Sequence, residues 1–279
     1  MEEGIYKYLF CYILMKEQYY IDKLLFLIEK SVNKLDKKKG YALAFSGGLD
    51  SCVLAKIMLN KKVRFGAYVV GTKKSHDITY AKKVAKKLKI RLKVIKINEN
   101  DIKIGIKLMK KILGRGANPE NVSFNLPLYF VARYCKEKFI VCGQGADELF
   151  GGYNKYLRLN EKEGKVELKA DLVNFIGFGV LQNKKTVQYF KKKLLLPYLN
   201  KEIIEFNENL PYQLKINKRI RKYILRKTAE KLKLGKKISN KEKKAAQYGT
   251  GIIWIMKKLA KKENVHISRY FKDISRHQK

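Results

Sequence analysis

The segment Ser46–Ser51, of sequence Ser-Gly-Gly-Leu-Asp-Ser, joins an apolar run of strand length at 41–45 to a run of helical character at 52–59. A strand, a glycine-rich turn and a helix start direct backbone N–H groups and the positive end of the helix dipole at one point. The two serines add hydroxyl donors, and Asp50 can hold a Mg²⁺ that bridges phosphate oxygens. Gly-Gly alone would fit an ordinary βα turn, but the whole hexapeptide in this context predicts a polyphosphate site in an α/β fold.

The hexapeptide differs from two commoner phosphate-binding loops. It lacks the Gly-Lys-[Ser/Thr] ending of a Walker loop and the Gly-x-Gly-x-x-Gly of a dinucleotide fold. It resembles the PP-loop of the ATP pyrophosphatase superfamily, whose members cut ATP between the α- and β-phosphates. The resemblance implies adenylation of a substrate with release of pyrophosphate, rather than transfer of the γ-phosphoryl group.

Strands and helices alternate over the first half of the chain. Periodicity predicts strands at 41–45, 63–70, 92–97 and 139–142, and helices at 17–36, 76–88, 99–112 and 123–137. This alternation predicts a parallel twisted sheet with helices on both faces, in which ligands bind beyond the carboxyl ends of the strands. Strand signals stop after Tyr153, so we expect an N-terminal helical segment (1–40), an ATP-binding α/β domain (41–154) and a mostly helical C-terminal part (155–279).

A second informative segment, Gly143–Tyr153, reads Gly-Gln-Gly-Ala-Asp-Glu-Leu-Phe-Gly-Gly-Tyr and follows the fourth predicted strand. Its first two glycines allow the backbone to approach a nucleotide. Asp147 and Glu148 begin a short helix, where their carboxylates can share Mg²⁺ or order a basic side chain. Acidic residues in the first turn of a helix are common, so this segment alone is moderate evidence.

Together the two segments resemble the synthetase domain of asparagine synthetases and of their relative β-lactam synthetase. The family pattern is S-G-G-x-D-S followed by G-E-G-[AS]-D-E-x-F-G-G-Y. Looser similarity covers about residues 20–262, at 67–71 with Asp77, 118–129, 196–200, 223–226 and 241–251. The resemblance implies an adenine nucleotide α-hydrolase-like fold and a ligase that uses ATP and Mg²⁺, of the kind that serves asparagine biosynthesis.

The resemblance also implies roles for individual residues. A substrate carboxylate would attack the α-phosphorus of ATP, and ammonia or an amine would then displace AMP. Asp50 and Asp147 would lie near Mg²⁺, and Lys243 would neutralise charge at the α-phosphate, with Lys241 and Lys244 as near alternatives. The residues implied to hold pyrophosphate or line the nucleotide are Ser46, Gly47, Gly48, Asp50, Ser51, Val70 and Gly145.

Three departures from the family pattern affect the substrate side. Gln144 stands where the family carries a glutamate, and an amide can position a substrate but cannot act as a base. Glu148 is present and could cover part of that role, so Lys243, Glu148 and Gln144 are the candidate catalytic residues. The family's Thr-Thr-x-Arg appears as 120–123 without the arginine that could clamp a second carboxylate, and 191–195 replaces its G-V-E-x-R. The resemblance therefore implies adenylation of aspartate or a related acid.

The net charge of +38 is extreme for 279 residues, and acidic residues number only 25. A surface this basic attracts anions, RNA included, but the lysines are spread over most helices without clear arginine clusters. Nucleic-acid binding therefore stays a minority expectation. A tRNA-modifying PP-loop enzyme is the main alternative function, although it does not explain Gly143–Tyr153. A non-catalytic ATP-binding homologue is the third, suggested by Gln144.

The remaining composition bounds the compartment and the partners. Cys11, Cys52, Cys135 and Cys142 form no C-x-x-C pair and lie among apolar neighbours, which predicts buried thiols in the cytoplasm. No apolar run reaches the length of a membrane span, so no membrane partner is expected. Only about 40 residues precede the first loop, so ammonia would come from solution or from a separate glutaminase subunit; residues 1–14 read as an over-extended start.

Overall fold

Five parallel strands form the centre of the protein in the computed structural model, in the order β3-β2-β1-β4-β5. The structure describes residues 2–73, 75–241 and 246–274, with side chains described for 15–73, 75–241 and 248–274. The strands of this sheet are β1 Tyr41–Ala44, β2 Phe65–Gly71, β3 Leu92–Lys96, β4 Phe139–Val141 and β5 Lys193–Leu195, and a separate antiparallel pair consists of β6 Ile216–Asn217 and β7 Ile220–Arg221.

Helices cover both faces of the sheet and make up most of the chain after β4. Those that precede the second loop are α1 Glu2–Asn33, α2 Leu49–Asn60, α3 His76–Leu88, α4 Glu99–Leu113 and α5 Pro119–Tyr134. Those that follow are α6 Ala146–Phe150, α7 Glu161–Asn174, α8 Val180–Tyr189, α9 Lys201–Glu208, α10 Tyr212–Lys215, α11 Tyr223–Lys231, α12 Lys236–Ser239, α13 Ala246–Gly249, α14 Ile252–Lys262 and α15 Ile267–Asp273. A π-helical turn, Phe175–Gly179, joins α7 to α8.

The sheet separates two hydrophobic cores because successive side chains of a strand point to opposite faces. Tyr41 and Leu43 of β1 lie in the core that α1, α2 and α11 cover. Ala42 lies in the other core, under α4, α5 and α14. Both faces of the central strand are therefore buried, as expected for a parallel sheet.

The predicted fold class is confirmed, and the four predicted strands lie within two residues of the observed ones. The expectation that strand structure stops after Tyr153 was wrong. β5 lies 40 residues later and pairs in parallel with β4, and β6 and β7 form a short ladder. β5 was not predicted because its sequence, Lys-Leu-Leu, continues a lysine run. A basic edge strand of this kind also protects the sheet from pairing with another chain.

The described thiols agree with the expectation of buried, unpaired cysteines. Cys52 and Cys135 are buried and Cys142 is partly buried, and all three are free. Burial raises the pKa of the Cys52 thiol to about 12 and that of Cys142 to about 11. The side chain of Cys11 lies outside the described residues. Within the described part of the chain, no helix is long and apolar enough to cross a membrane.

The part of α1 that packs on the sheet can be tested with two substitutions on this one helix. Ile28 is fully buried, whereas Phe26 is 56% exposed. We expect Ile28→Ala to lower the free energy of unfolding by about 2–5 kcal/mol, because it leaves a cavity in the core. Phe26→Ala should change it by no more than about 0.5 kcal/mol. Urea denaturation followed by circular dichroism measures both, and equal losses would contradict the packing of α1.

Candidate functional site

The candidate site lies where the strand order reverses, between the carboxyl ends of β1 and β4. The loop after β1 carries Ser46–Gly48 and the loop after β4 carries Cys142–Gly145. Both loops line one cavity of about 440 Å³ that extends between α5 and α8. Ligands of open α/β sheets bind at such a reversal, so the two sequence segments meet where the topology predicts.

The first loop leaves the amino end of α2 available to an anion. Gly47 has a φ of 72°, and Gly48 begins α2 without a side-chain cap. The Gly48 N–H donates to Ser46 Oγ over 3.2 Å, and Ser51 Oγ donates to the Gly48 carbonyl oxygen over 3.1 Å. The serines thus fix the turn, while the helix dipole and uncapped N–H groups favour negative charge there.

The second loop packs against both the first loop and the C-terminal half of the chain. Gly145 has a φ of 92°, and a Cβ on it would lie 2.6 Å from the Leu199 side chain. A Cβ on Gly143 would lie 3.1 Å from Asp50 Cβ. Both glycines are therefore required by close packing, and Gly145 by its backbone conformation as well.

Lys222 holds the two aspartates of the loops together. Its Nζ lies 2.6 Å from Asp50 Oδ1 and 2.7 Å from Asp147 Oδ1, and only 4% of the lysine side chain is exposed. Burial acts to lower the pKa of the Lys222 ammonium, but Asp147 and then Asp50 outweigh it, so the net shift is upward. The ammonium therefore stays charged and compensates two carboxylates at one point of the cavity.

The surroundings of Lys222 are shaped to this interaction. Lys222 begins α11 with a φ of 55°, a left-handed conformation that costs a non-glycine residue roughly 1–2 kcal/mol. A Cβ on Gly152 would overlap the Asp147 carboxylate and would lie 2.5 Å from the Lys222 side chain. The ammonium can reach both carboxylates only because Lys222 adopts this strained conformation and because residue 152 has no side chain.

Glu148 is paired with an aromatic hydroxyl from its own segment. Tyr153 Oη donates to Glu148 Oε1, and Glu148 is 5% exposed. Burial, followed by the charge of Glu148, raises the pKa of Tyr153 far above its ordinary value. Tyr153 is therefore a protonated donor beside the cavity.

The structure brings most of the predicted site residues together. Those that line the cavity are Ser46, Gly48, Asp50, Ser51, Val70, Gln144, Gly145, Asp147 and Glu148. Gly47 instead packs on α3, where a Cβ would lie 3.1 Å from Ala81 Cα. Lys243 and Lys244 lie outside the described residues, whereas Lys241 lines the cavity and its Nζ lies 3.2 Å from the centre of the Tyr80 ring.

Amide side chains lie at and beside the segments that depart from the family pattern. Asn183 Nδ2 donates to Gln144 Oε1 over 2.9 Å, which ties α8 to the second loop. Asn121, from the segment that replaces the family's Thr-Thr-x-Arg, lines the cavity at the start of α5. Arg226 is the arginine among the described lining residues, and it donates to the carbonyl oxygens of Arg221 and Ser239.

Sequence reasoning missed Lys222 and the amides of α5 and α8. Lys222 directly precedes the segment 223–226 that resembles the family's basic helix, but in a lysine-rich chain nothing marked it. Asn183 and Gln182 lie in a region without a motif. Their place in the cavity depends on the packing of α8 against α5, which no local pattern shows.

Asp50 and Asp147 fit a Mg²⁺ site by their chemistry and placement. Magnesium prefers carboxylate and phosphate oxygens and is usually held by one or two protein carboxylates plus substrate and water. Both carboxylates converge on the Lys222 ammonium, so this point of the cavity already accepts a cation. Their side chains remain 23% and 17% exposed, which leaves oxygens accessible from the cavity.

Replacing Lys222 by methionine tests whether the ammonium compensates the two carboxylates. We expect Lys222→Met to destabilise the protein by about 2–4 kcal/mol, because two partly buried carboxylates lose the cation that lies between them. Lys227→Met on α11 removes an exposed pair with Glu230 and should cost no more than about 1 kcal/mol. Thermal unfolding with and without Mg²⁺ should show a larger magnesium stabilisation of Lys222→Met than of the unchanged protein. Equal magnesium responses would contradict this account.

Curated relatives of the chain are asparagine synthetases. The chain is 28% identical to "Putative asparagine synthetase (glutamine-hydrolyzing) 1" of Methanocaldococcus jannaschii, over 84% of this chain and 49% of that protein. It is 26% identical to asparagine synthetase (glutamine-hydrolyzing) 1 of Lotus japonicus, over 77% of this chain and 40% of that protein. The chain thus spans about half or less of the length of these relatives.

Two solved structures are similar at low identity. The NMN synthetase of Francisella tularensis matches with a TM-score of 0.43 and 13% identity, covering 94% of this chain and 87% of that one. The NH3-dependent NAD synthetase of Campylobacter jejuni matches with a TM-score of 0.34 and 17% identity, covering 70% and 97%. A sequence model of a protein family matches far more of the chain, over residues 23–195 and 193–270. The chain belongs to the asparagine synthase family.

Proposed function

We propose that the protein is an ATP-dependent, AMP-forming carbon–nitrogen ligase that adenylates a carboxylic acid, aspartate or a related acid, and releases pyrophosphate. Ammonia or an amine then takes the place of AMP. Family membership supports an ATP-using, amide-forming synthetase. The proposal goes beyond family membership in naming the bond of ATP that is cut and the acid that is activated.

One observation carries it: the two segments that define the family pattern meet at the strand-order reversal, with Asp50 and Asp147 on a single ammonium. An isolated phosphate-binding turn would not need the second carboxylate. Two carboxylates beside a helix amino end fit a triphosphate that carries a divalent cation.

In the proposed reaction, an oxygen of the substrate carboxylate attacks the α-phosphorus of ATP. The bond from the α-phosphorus to the bridging oxygen breaks, and pyrophosphate leaves with that electron pair. The amine nitrogen then attacks the acyl carbon of the acyl-adenylate, AMP leaves, and the nitrogen loses a proton. The product is an amide.

The chain's own residues would serve these steps by binding and orientation. The Ser46–Ser51 loop would hold the β- and γ-phosphates on the uncapped N–H groups of α2. Val70 and Gly145 would line the nucleotide. Lys243 would neutralise charge that develops at the α-phosphate, with the cavity-lining Lys241 as its near alternative. Asp50 and Asp147 would hold Mg²⁺, which when bound screens the negative charge of the phosphates.

The nitrogen source is ammonia, an amine, or ammonia from a separate glutaminase subunit. The curated relatives are named as glutamine-hydrolysing enzymes, and this chain matches only part of them. The net charge of +38 keeps a tRNA substrate as the second candidate.

Isotope exchange between pyrophosphate and ATP tests the first half-reaction. We expect exchange that depends on a carboxylic acid and on Mg²⁺, and we expect Asp50→Asn to lower it at least about 100-fold, because the proposed Mg²⁺ site loses one of its two carboxylates. Asp22→Asn, an exposed aspartate of α1, is the matched control and should retain exchange. Exchange stimulated only by bulk tRNA would favour the tRNA-modifying alternative. No exchange with any substrate would favour a non-catalytic ATP-binding protein.

Gln144→Glu tests the second half-reaction. Asn183 Nδ2 can donate to a carboxylate as it does to the amide, so we expect the variant to fold normally. The carboxylate can attract a cationic amine or remove its proton, so amide formation should rise about 10- to 100-fold relative to exchange. Radioactive amide product is measured against exchange with the same acid. If the ratio of amide formation to exchange is unchanged, the residue at position 144 does not control the second half-reaction.

A further inference from the structure

The cavity has two walls of different chemistry. The charged lining residues of the described chain lie on α2, α3, α6 and α11, at Lys222 just before α11, and at Lys241. The second wall is formed by α5 and by the π-helical turn with α8. Its lining side chains are neutral: Asn121, Phe124, Asn125, Leu128, Phe175, Gln182 and Asn183.

The amides of this neutral wall are fixed by one another and by the backbone. Asn183 is 2% exposed and donates to Gln144 over 2.9 Å. Asn125 is 5% exposed, and its Nδ2 donates to the Asn121 carbonyl oxygen over 2.8 Å and to Gln182 Oε1 over 3.4 Å. These contacts hold the side chains in defined orientations with no formal charge.

One acceptor of this wall has no donor among the described residues. The buried Asn125 Oδ1 forms no hydrogen bond with a described residue. An acceptor that is left unsatisfied in the interior costs about 1–3 kcal/mol, so such atoms usually meet a ligand or water. A substrate with an N–H or O–H donor that packs against Asn125 in the cavity lining would satisfy this acceptor.

Among the described residues, this wall carries no cation for a second carboxylate. Lys184 and Lys185 of α8 are exposed and are not among the lining residues. Arg226 and Lys222 of the charged wall are engaged by carbonyl oxygens and by the two aspartates. A carboxylate buried against amides and aromatic rings would lose hydration without gaining a cation.

We propose that the acid activated here is a monocarboxylic acid whose far end is uncharged and carries a hydrogen-bond donor, rather than a dicarboxylate. This rests on the proposed adenylation of a carboxylate and narrows the acid from aspartate or a related acid to one without a second carboxylate. Asn125 would accept the donor, Gln182 and Asn183 would keep the wall neutral, and Phe124 and Phe175 would pack on the apolar or flat part of the acid.

Matched acids that differ only at the far end test this in the exchange assay. The pairs are succinate with succinamate, glutarate with glutaramate, and terephthalate with 4-carbamoylbenzoate, with aspartate as a reference. We expect at least one carboxamide acid to support exchange, with a kcat/KM about 10-fold or more above its dicarboxylate partner. A site that leaves a buried charge unpaired discriminates by at least that factor.

A cation placed in the neutral wall should reverse the preference. Gln182 is partly exposed, so Gln182→Arg can be accommodated and would offer a bidentate partner to a second carboxylate. Gln188→Arg adds the same charge on an exposed position of α8 outside the cavity and should leave the preference unchanged. ATP-dependent thermal stabilisation of each variant confirms that the nucleotide site remains folded.

The outcomes separate the substrate class from the activity. Equal or better exchange with the dicarboxylates or aspartate in the unchanged protein would exclude an uncharged far end, while carboxylate activation would stand. If Gln188→Arg reverses the preference between the acids as strongly as Gln182→Arg does, the preference depends on the net charge of the protein. The neutral wall would then be excluded as its origin. Absence of exchange with every acid, in protein that ATP stabilises, would overturn the activity and with it this substrate class.

Discussion

The ion pairs of Lys222 with Asp50 and Asp147 are the interaction on which the site depends. Three segments that are distant in sequence, the first turn of α2, α6 and the start of α11, converge on one buried ammonium. Two carboxylates at such a distance would repel each other without a cation, and a lone buried lysine would lose its charge. Each of the three charged groups is therefore stable only in the presence of the other two. The left-handed backbone of Lys222 and the absence of a side chain at Gly152 make this contact possible.

Because the candidate site depends on Lys222, the C-terminal half of the chain is part of that site rather than an addition to it. Tyr198 is fully buried and donates to the Asp50 carbonyl oxygen over 3.0 Å, and Leu199 packs against Gly145. β5 extends the sheet beside β4, just before these residues. The two glycine-rich loops thus acquire their final geometry only when the residues after 154 are folded, so we propose that the ATP-binding domain and the helical part predicted from sequence fold together.

Sequence could predict the sheet, four of its five strands and the meeting of the two loops, because each depends on local apolar pattern and on the rule that ligands bind at a strand-order reversal. It could not predict β5, because this strand begins within a lysine run, whereas the equally short β4 is apolar throughout. Nor could it distinguish Lys222 from the other lysines, because the sequence does not show which lysine contacts two carboxylates and which lies in solvent. The amide wall was beyond reach for a related reason: Asn125 and Asn183 become neighbours of the site only through the packing of α5 on α8.

The neutral wall of the cavity contrasts with the strongly basic charge of the protein as a whole. A net charge of +38 raises the local concentration of anions, ATP and carboxylic acids alike, and it attracts a dicarboxylate more strongly than a monocarboxylate. Selection between acids must therefore come from the interior, where salt screens little and an unpaired charge is most costly. In the proposed reaction, a wall of fixed amides would supply that selection, because it would reject the dianion that the surface charge favours.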